Sequence, residues 1–202
     1  MYENFRNNFK QFVVITPQEI SKVYPFFNAK NLVNWQKKGY LIKLRNNYYL
    51  LSETMIDEYK LYFIANKMYS PSYVSMESAL NYHGIIPEGV YRIQSVSTRK
   101  TNLFDTKVGI FNYQTIKKEL FFGYCLVDHE TTTFKIASIE KAVLDFLYLR
   151  TDIRDYYSIK ALRWNKDVLK GMDKIILQEY LNLFCSPVLN HRINLLKKYL
   201  DA

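Results

Sequence analysis

The chain has 202 residues, 49% of them hydrophobic, and carries 28 Lys and Arg against 19 Asp and Glu, a formal charge of +9. That length accommodates one large or two modest domains with an adequate core, and the apolar content excludes general disorder. No run of eighteen uncharged apolar residues occurs and the N-terminus lacks the layout of a secretion signal, so a cytoplasmic protein without a membrane span is expected. Cys125 and Cys185 stand alone in apolar settings without metal-ligand spacing, which reads as two buried free thiols rather than a disulfide.

The charge is uneven. Residues 1–50 hold eight basic side chains against Glu3 and Glu19, a balance of +6, whereas residues 51–202 hold 20 basic and 17 acidic ones. A basic head on a nearly balanced body points to a polyanion as partner of the head, although a generally basic protein would show a similar total.

In chain order, Phe5, Phe9 and Phe12 mark one face of a helix over residues 2–14. Thr16, Pro17 and Glu19 then supply a full start signal: a cap, a first-turn proline and the acid of a capping box. Ile20 faces inward and Pro25 ends this short helix. Asn28 is a good cap for the next, where Ala29, Leu32 and Trp35 form the inward stripe and Gly39 the stop. Residues 41–44 and 48–51 flank Arg45-Asn46-Asn47 as the two strands of a hairpin.

Helical spacing returns over residues 52–68, and Pro71 breaks it. A short helix over residues 75–83 ends at Gly84, and Pro87-Glu88-Gly89 reads as a turn. The period then changes to two: residues 91–98, 106–113 and 122–127 read as strands, with residues 132–137 as a fourth. Ser138 caps a helix over residues 138–149, and residues 156–164, 166–184 and 187–199 are helical again. The whole reads as an α+β chain. A winged helix-turn-helix occupies residues 1–51 and a linking helix residues 52–70. Residues 71–202 form a mixed α/β domain with a small, mainly antiparallel sheet of three or four strands and a helical C-terminal tail.

The first candidate site is the outer face of the helix over residues 28–38. Asn reads adenine and Lys or Arg reads guanine in a DNA major groove. Lys30, Asn31, Asn34 and Lys37 are placed for base edges and Lys38 for phosphate; Lys43, Arg45 and Asn46 form the tip of the wing. A solvated polar face is the competing explanation. Arg92, Arg99, Lys100 and Lys107 suggest a second basic patch around two predicted strands, or an ordinary solvated sheet face.

Asp128-His129-Glu130 could hold a divalent metal at a strand end, as in nucleases and nucleotidyltransferases, but runs into three threonines and reads better as a charged hairpin turn. Glu77, His83 and Asp145 are isolated titratable groups on otherwise apolar helices. No phosphate-cradling loop, nucleophile elbow or metal-binding motif occurs, so neither a catalytic residue, a metal nor a cofactor is expected. The 18 Tyr and 13 Phe fall mostly at periodic core positions, which packing explains more cheaply than base stacking.

The order of segments resembles the AbiEi family of antitoxins. The head ending in KLRNNYYLL is followed by YVSMESALNYHGIIP (73–87), IQSVSTRKTNLF (93–104), FKIASIEKAVLDFLY (134–148) and a tail containing NHRINLLKKYL, together nearly the whole chain. The head is rich in Asn and Lys where the resemblance leads one to expect more Arg. The resemblance implies a repressor that binds inverted repeats in double-stranded DNA upstream of its own operon. It also implies an antitoxin domain that counteracts a nucleotidyltransferase toxin without a stable complex. Two copies on adjacent half-sites are expected for useful specificity. Two other classes remain open: a metal-dependent nuclease or nucleotidyltransferase using Asp128 and Glu130, and a winged-helix module that binds a protein.

Overall fold

In a computed structural model, which describes residues 1–87, 89 and 91–201, the chain is α+β, and the head follows from its local signals. Helix α1 (Tyr2–Phe9) is followed by α2 (Pro17–Val23), α3 (Lys30–Lys37) and a hairpin of β1 (Leu41–Arg45) and β2 (Tyr48–Leu51). The capping box at α2 is complete: the Glu19 N–H donates to Thr16 Oγ1 (3.4 Å) and the Thr16 N–H donates to Glu19 Oε2 (2.8 Å). Asn28 acts one residue ahead of the cap position, its Oδ1 accepting from the Lys30 N–H at 3.0 Å. Gly39 (φ +73°) and Asn47 (φ +69°) take the left-handed conformation that ends α3 and closes the hairpin. Phe5, Phe9, Ile20, Leu32, Trp35, Leu41 and Leu51 bury one another into a small core.

Helix α1 stops at Phe9 rather than running to residue 14. The chain bends at Val13 and Val14 instead, and Ile15 then exchanges both backbone hydrogen bonds with Tyr49 (2.7 and 2.9 Å) beside the hairpin.

In the body, α4 (Glu58–Met68) precedes β3 (Ser72–Val74), α5 (Met76–Tyr82), β4 (Arg92–Ser97), β5 (Asn102–Thr106) and β6 (Gly109–Thr115). A 3-10 turn at Lys118–Leu120 leads to β7 (Tyr124–His129), β8 (Thr132–Ala137) and α6 (Ile139–Leu149). The chain ends in α7 (Tyr156–Ala161), α8 (Lys166–Lys170), α9 (Lys174–Phe184) and α10 (Pro187–Asp201). Of the turn predicted at Pro87-Glu88-Gly89, Glu88 lies outside the described residues.

The sheet corrects the expectation of a small, mainly antiparallel one. Its order is β5-β6-β4-β3-β8-β7, six strands with parallel pairs at β4/β6 and β3/β8. Strand β3 has three residues, too few to show a period. The strand predicted over residues 106–113 is β6 from Gly109 onward, and its first three residues are the end of β5 and the turn between the two strands. Thr106 Oγ1 accepts from the Val108 N–H (3.2 Å) and donates to Gly109 O (2.8 Å), which turns the chain between β5 and β6.

Helix α4 starts only at Glu58, because Asp57 caps it by accepting from the Lys60 N–H (2.8 Å). It is more than a link: Tyr62, Ile64, Ala65 and Met68 are buried against the sheet. Asp173 caps α9 in the same way, which breaks the helix predicted over residues 166–184 into α8 and α9. Cys125 and Cys185 are free as expected but exposed, contrary to the buried setting inferred from their neighbours.

Head and body share side chains. Val13, Val14, Leu44 and Leu50 pack into the same core as the sheet and α4. Beside the hairpin turn, Arg45 Nη1 donates to Met68 O at 2.8 Å, and its guanidinium lies 4.9 Å from the Phe104 ring centre and 5.4 Å from that of Tyr48.

Candidate nucleic-acid interface

On α3, Lys30, Val33, Asn34 and Lys37 fall at i, i+3, i+4 and i+7, and all four are exposed while Leu32 and Trp35 are buried on the opposite side. The sequence thus produces one outward stripe, two ammonium groups flanking an amide and an aliphatic side chain. Lys38 is exposed at the end of the helix. Lys43 on β1 and Asn46 in the hairpin turn are also exposed.

The acids of the head are engaged elsewhere. Glu3 pairs with Arg6, which also holds Glu53 just past the head, and Glu19 closes the capping box and approaches Lys67 Nζ at 3.5 Å. Among the described residues, Lys30, Lys37, Lys38 and Lys43 have no ion-pair partner, so their field is available to an external anion.

Two predicted members of this face are held differently. Asn31 is half-buried on the flank of α3, its Nδ2 3.6 Å from Met1 Sδ. Arg45 does stand at the turn end of the hairpin, paired with Tyr48, but its contacts to Met68 and Phe104 commit the guanidinium to joining hairpin to body. Local charge pattern could not reveal this, because the rings that hold Arg45 come from distant segments.

The second basic patch does not form as one surface. Lys107 lies in the β5–β6 turn near Arg92, which pairs with Ile110 across the sheet. Arg99 and Lys100 follow the other end of β4, a six-residue strand about 20 Å long. Arg99 is also committed, donating to Ser70 O (3.2 Å) and stacking 4.5 Å from the Tyr69 ring centre.

Asp128-His129-Glu130 forms the end of β7 and the turn into β8, with Glu130 at φ +50°. Asp128 accepts from Thr133 Oγ1 (2.6 Å) on the exposed face, away from His129. The groups that do converge are Asp57, His129 and Glu130, whose ligand atoms lie within 4.8 Å of one another. Lys60 Nζ sits among them, 3.1 Å from Asp57 and 3.0 Å from Glu130, and His129 Nε2 is 3.5 Å from Asp57. Burial pushes the Asp57 carboxyl up, but the hydrogen bonds from Lys60 and His129 outweigh it and hold Asp57 below its ordinary value. A protein ammonium thus occupies the place a divalent ion would need. Magnesium or manganese titrated into the protein is expected to give no binding heat by calorimetry; a stoichiometric site abolished by Asp57→Asn would restore a metal-dependent reading.

The three isolated titratable groups all have partners. Glu77 Oε1 receives Arg150 Nη1 (3.0 Å), and His83 Nε2 donates to Ala137 O (2.8 Å). Asp145 is fully buried and accepts from Tyr73 OH (2.9 Å), Ser75 Oγ (2.8 Å) and Lys141 Nζ. Lys141, not singled out from the sequence, is buried too. It donates to Tyr73 OH (2.9 Å) and lies 4.9 and 5.0 Å from the ring centres of Phe184 and Phe122. Burial pulls the Lys141 pKa down and pushes that of Asp145 up, while their pairing opposes both shifts. Its i,i+4 spacing to Asp145 on an apolar helix is the signal that could have found it. The cluster is closed, with each carboxylate oxygen receiving a donor, which suits a structural tie.

A cavity of about 540 Å³ opens between α8, α9 and α10, walled by Leu169, Met172, Leu177, Leu181 and Ile193. Its titratable lining among the described residues is three lysines and Asp201, a set without a nucleophile–base pair. In comparison with known proteins, the chain matches no family model and no curated protein.

Proposed function

We propose that the chain is a DNA-binding transcription regulator, its residues 1–51 acting as a winged helix-turn-helix. Helix α3 is the recognition helix and the β1–β2 hairpin is the wing. The observation that carries this is the stripe of Lys30, Asn34 and Lys37, exposed and free of ion pairs among the described residues, with Lys38 and Lys43 beside it. Lysines neutralise backbone phosphates and set the protein on the duplex, while Asn34 and one of the lysines contact base edges. One small head covers limited DNA, so two copies bind adjacent half-sites.

The particular regulator indicated by the AbiEi-like segments is an antitoxin-repressor that represses its own operon and counteracts a nucleotidyltransferase toxin. That setting rests on the sequence resemblance. The antitoxin activity is proposed to be non-enzymatic.

The test is a reporter driven by the DNA upstream of the chain's own gene. Expression of the full chain is expected to lower reporter output, and co-expression with the product of the adjacent toxin gene is expected to restore growth. Unchanged reporter output would remove the repressor reading; persistent growth arrest would remove the antitoxin reading independently.

A further inference from the structure

Val33 is the odd member of the α3 stripe. It is 52% exposed, with Lys30 one turn before it and Lys37 one turn after, and it contributes to neither core of the protein. Helix stability does not account for it, since a β-branched residue is a poorer helix former than alanine at an exposed position. What it offers instead is two methyl groups on a stiff side chain, held near one χ1 value and so placed without the entropy loss of a lysine. Resting on the reading of α3 as the recognition helix, we infer that Val33 reads a thymine methyl group, so that each half-site carries thymine at one fixed position.

The chemistry is selective because the thymine C5-methyl is the one apolar group that base edges present in the major groove. Asn34, the next residue along the helix, has the side chain suited to bidentate contact with adenine N6 and N7. The two side chains together address neighbouring A·T pairs: Asn34 the adenine edge of one, Val33 the methyl of the other. Lys30 and Lys37 bracket them and are left to phosphates or a guanine. The half-site core is therefore A·T-rich, bounded by positions where the lysines act.

The experiment starts with selection of bound sequences from a random duplex library by the full chain. Each thymine of the selected site is then replaced singly by deoxyuridine, which removes only the methyl. At one thymine per half-site the wild-type affinity is expected to fall about fourfold, the effect of withdrawing one buried methyl-sized group. Val33→Ala is expected to bind the thymine duplex more weakly by a similar factor and to be indifferent to deoxyuridine at that position, as two partners of one contact must be. Uracil tolerated at every position by the wild type, or a Val33→Ala protein that keeps the wild-type sensitivity, would overturn the assignment of Val33 while leaving α3 as the DNA-reading helix. A selection that enriches no sequence would overturn the recognition-helix reading and the Val33 assignment with it.

Discussion

Lys141→Ala is expected to lower the free energy of unfolding by about 3–5 kcal/mol, the usual cost of removing one partner from a buried ion pair. Neither Lys141 nor Asp145 reaches solvent, so the variant leaves a carboxylate in the core with only Tyr73 and Ser75 as donors. Those two residues frame β3 and the start of α5, Lys141 and Asp145 belong to α6, and the rings over the ammonium come from α9 and the segment before β7. Loss of the pair therefore loosens the place where sheet and C-terminal helices meet. Replacing both charges together by apolar side chains of similar size is expected to recover most of the loss, because the pair itself repays little beyond its desolvation. Urea unfolding checks both statements. A single-variant loss below about 1 kcal/mol, the scale of an exposed pair, would show that the pair is not buried as described.

The second large effect concerns binding. The combined variant Lys30→Ala/Asn34→Ala/Lys37→Ala is expected to bind the upstream duplex at least about thirtyfold more weakly. Each base-edge contact is worth about 1–3 kcal/mol, so Asn34 and one lysine at the low end already give that factor, and the second lysine's phosphate contact is lost as well. Its fold should survive, since exposed side chains without structural partners usually change stability by only about 0.5 kcal/mol. Matching circular dichroism spectra and thermal transitions would establish that. Wild-type affinity in the folded triple variant would remove α3 from the interface.

The features that could be read from the sequence were those decided by neighbours in the chain. Thr16, Pro17 and Glu19 set the start of α2, Gly39 ends α3, and Asn46-Asn47 closes the hairpin, because capping and left-handed turns depend on residues a few positions apart. Residues 132–137 and Ser138 were equally legible as β8 and the cap of α6.

What escaped depends on non-local contacts. Strand β3 is recognisable only because β4 and β8 flank it, and the six-stranded order joins segments that the chain separates widely. Arg45 was legible beside the hairpin turn, but the contacts of its guanidinium with Phe104 and Met68 come from distant segments and were not. The Lys141–Asp145 spacing was visible on one helix, but its meaning lies in Tyr73 and Ser75, 72 and 70 residues before Asp145. The stripe on α3 was local and readable, Val33 included, although only its polar members suggested contacts to base edges.

The most direct measurement of the central claim is the salt dependence of wild-type binding to the upstream duplex. With one of Lys30 and Lys37 on a base edge and the other free with Lys38 and Lys43 to neutralise phosphates, the logarithm of the binding constant should fall linearly with the logarithm of salt concentration, with a slope of about −3 per head. No binding at low salt, or binding that salt leaves unchanged, would contradict the account.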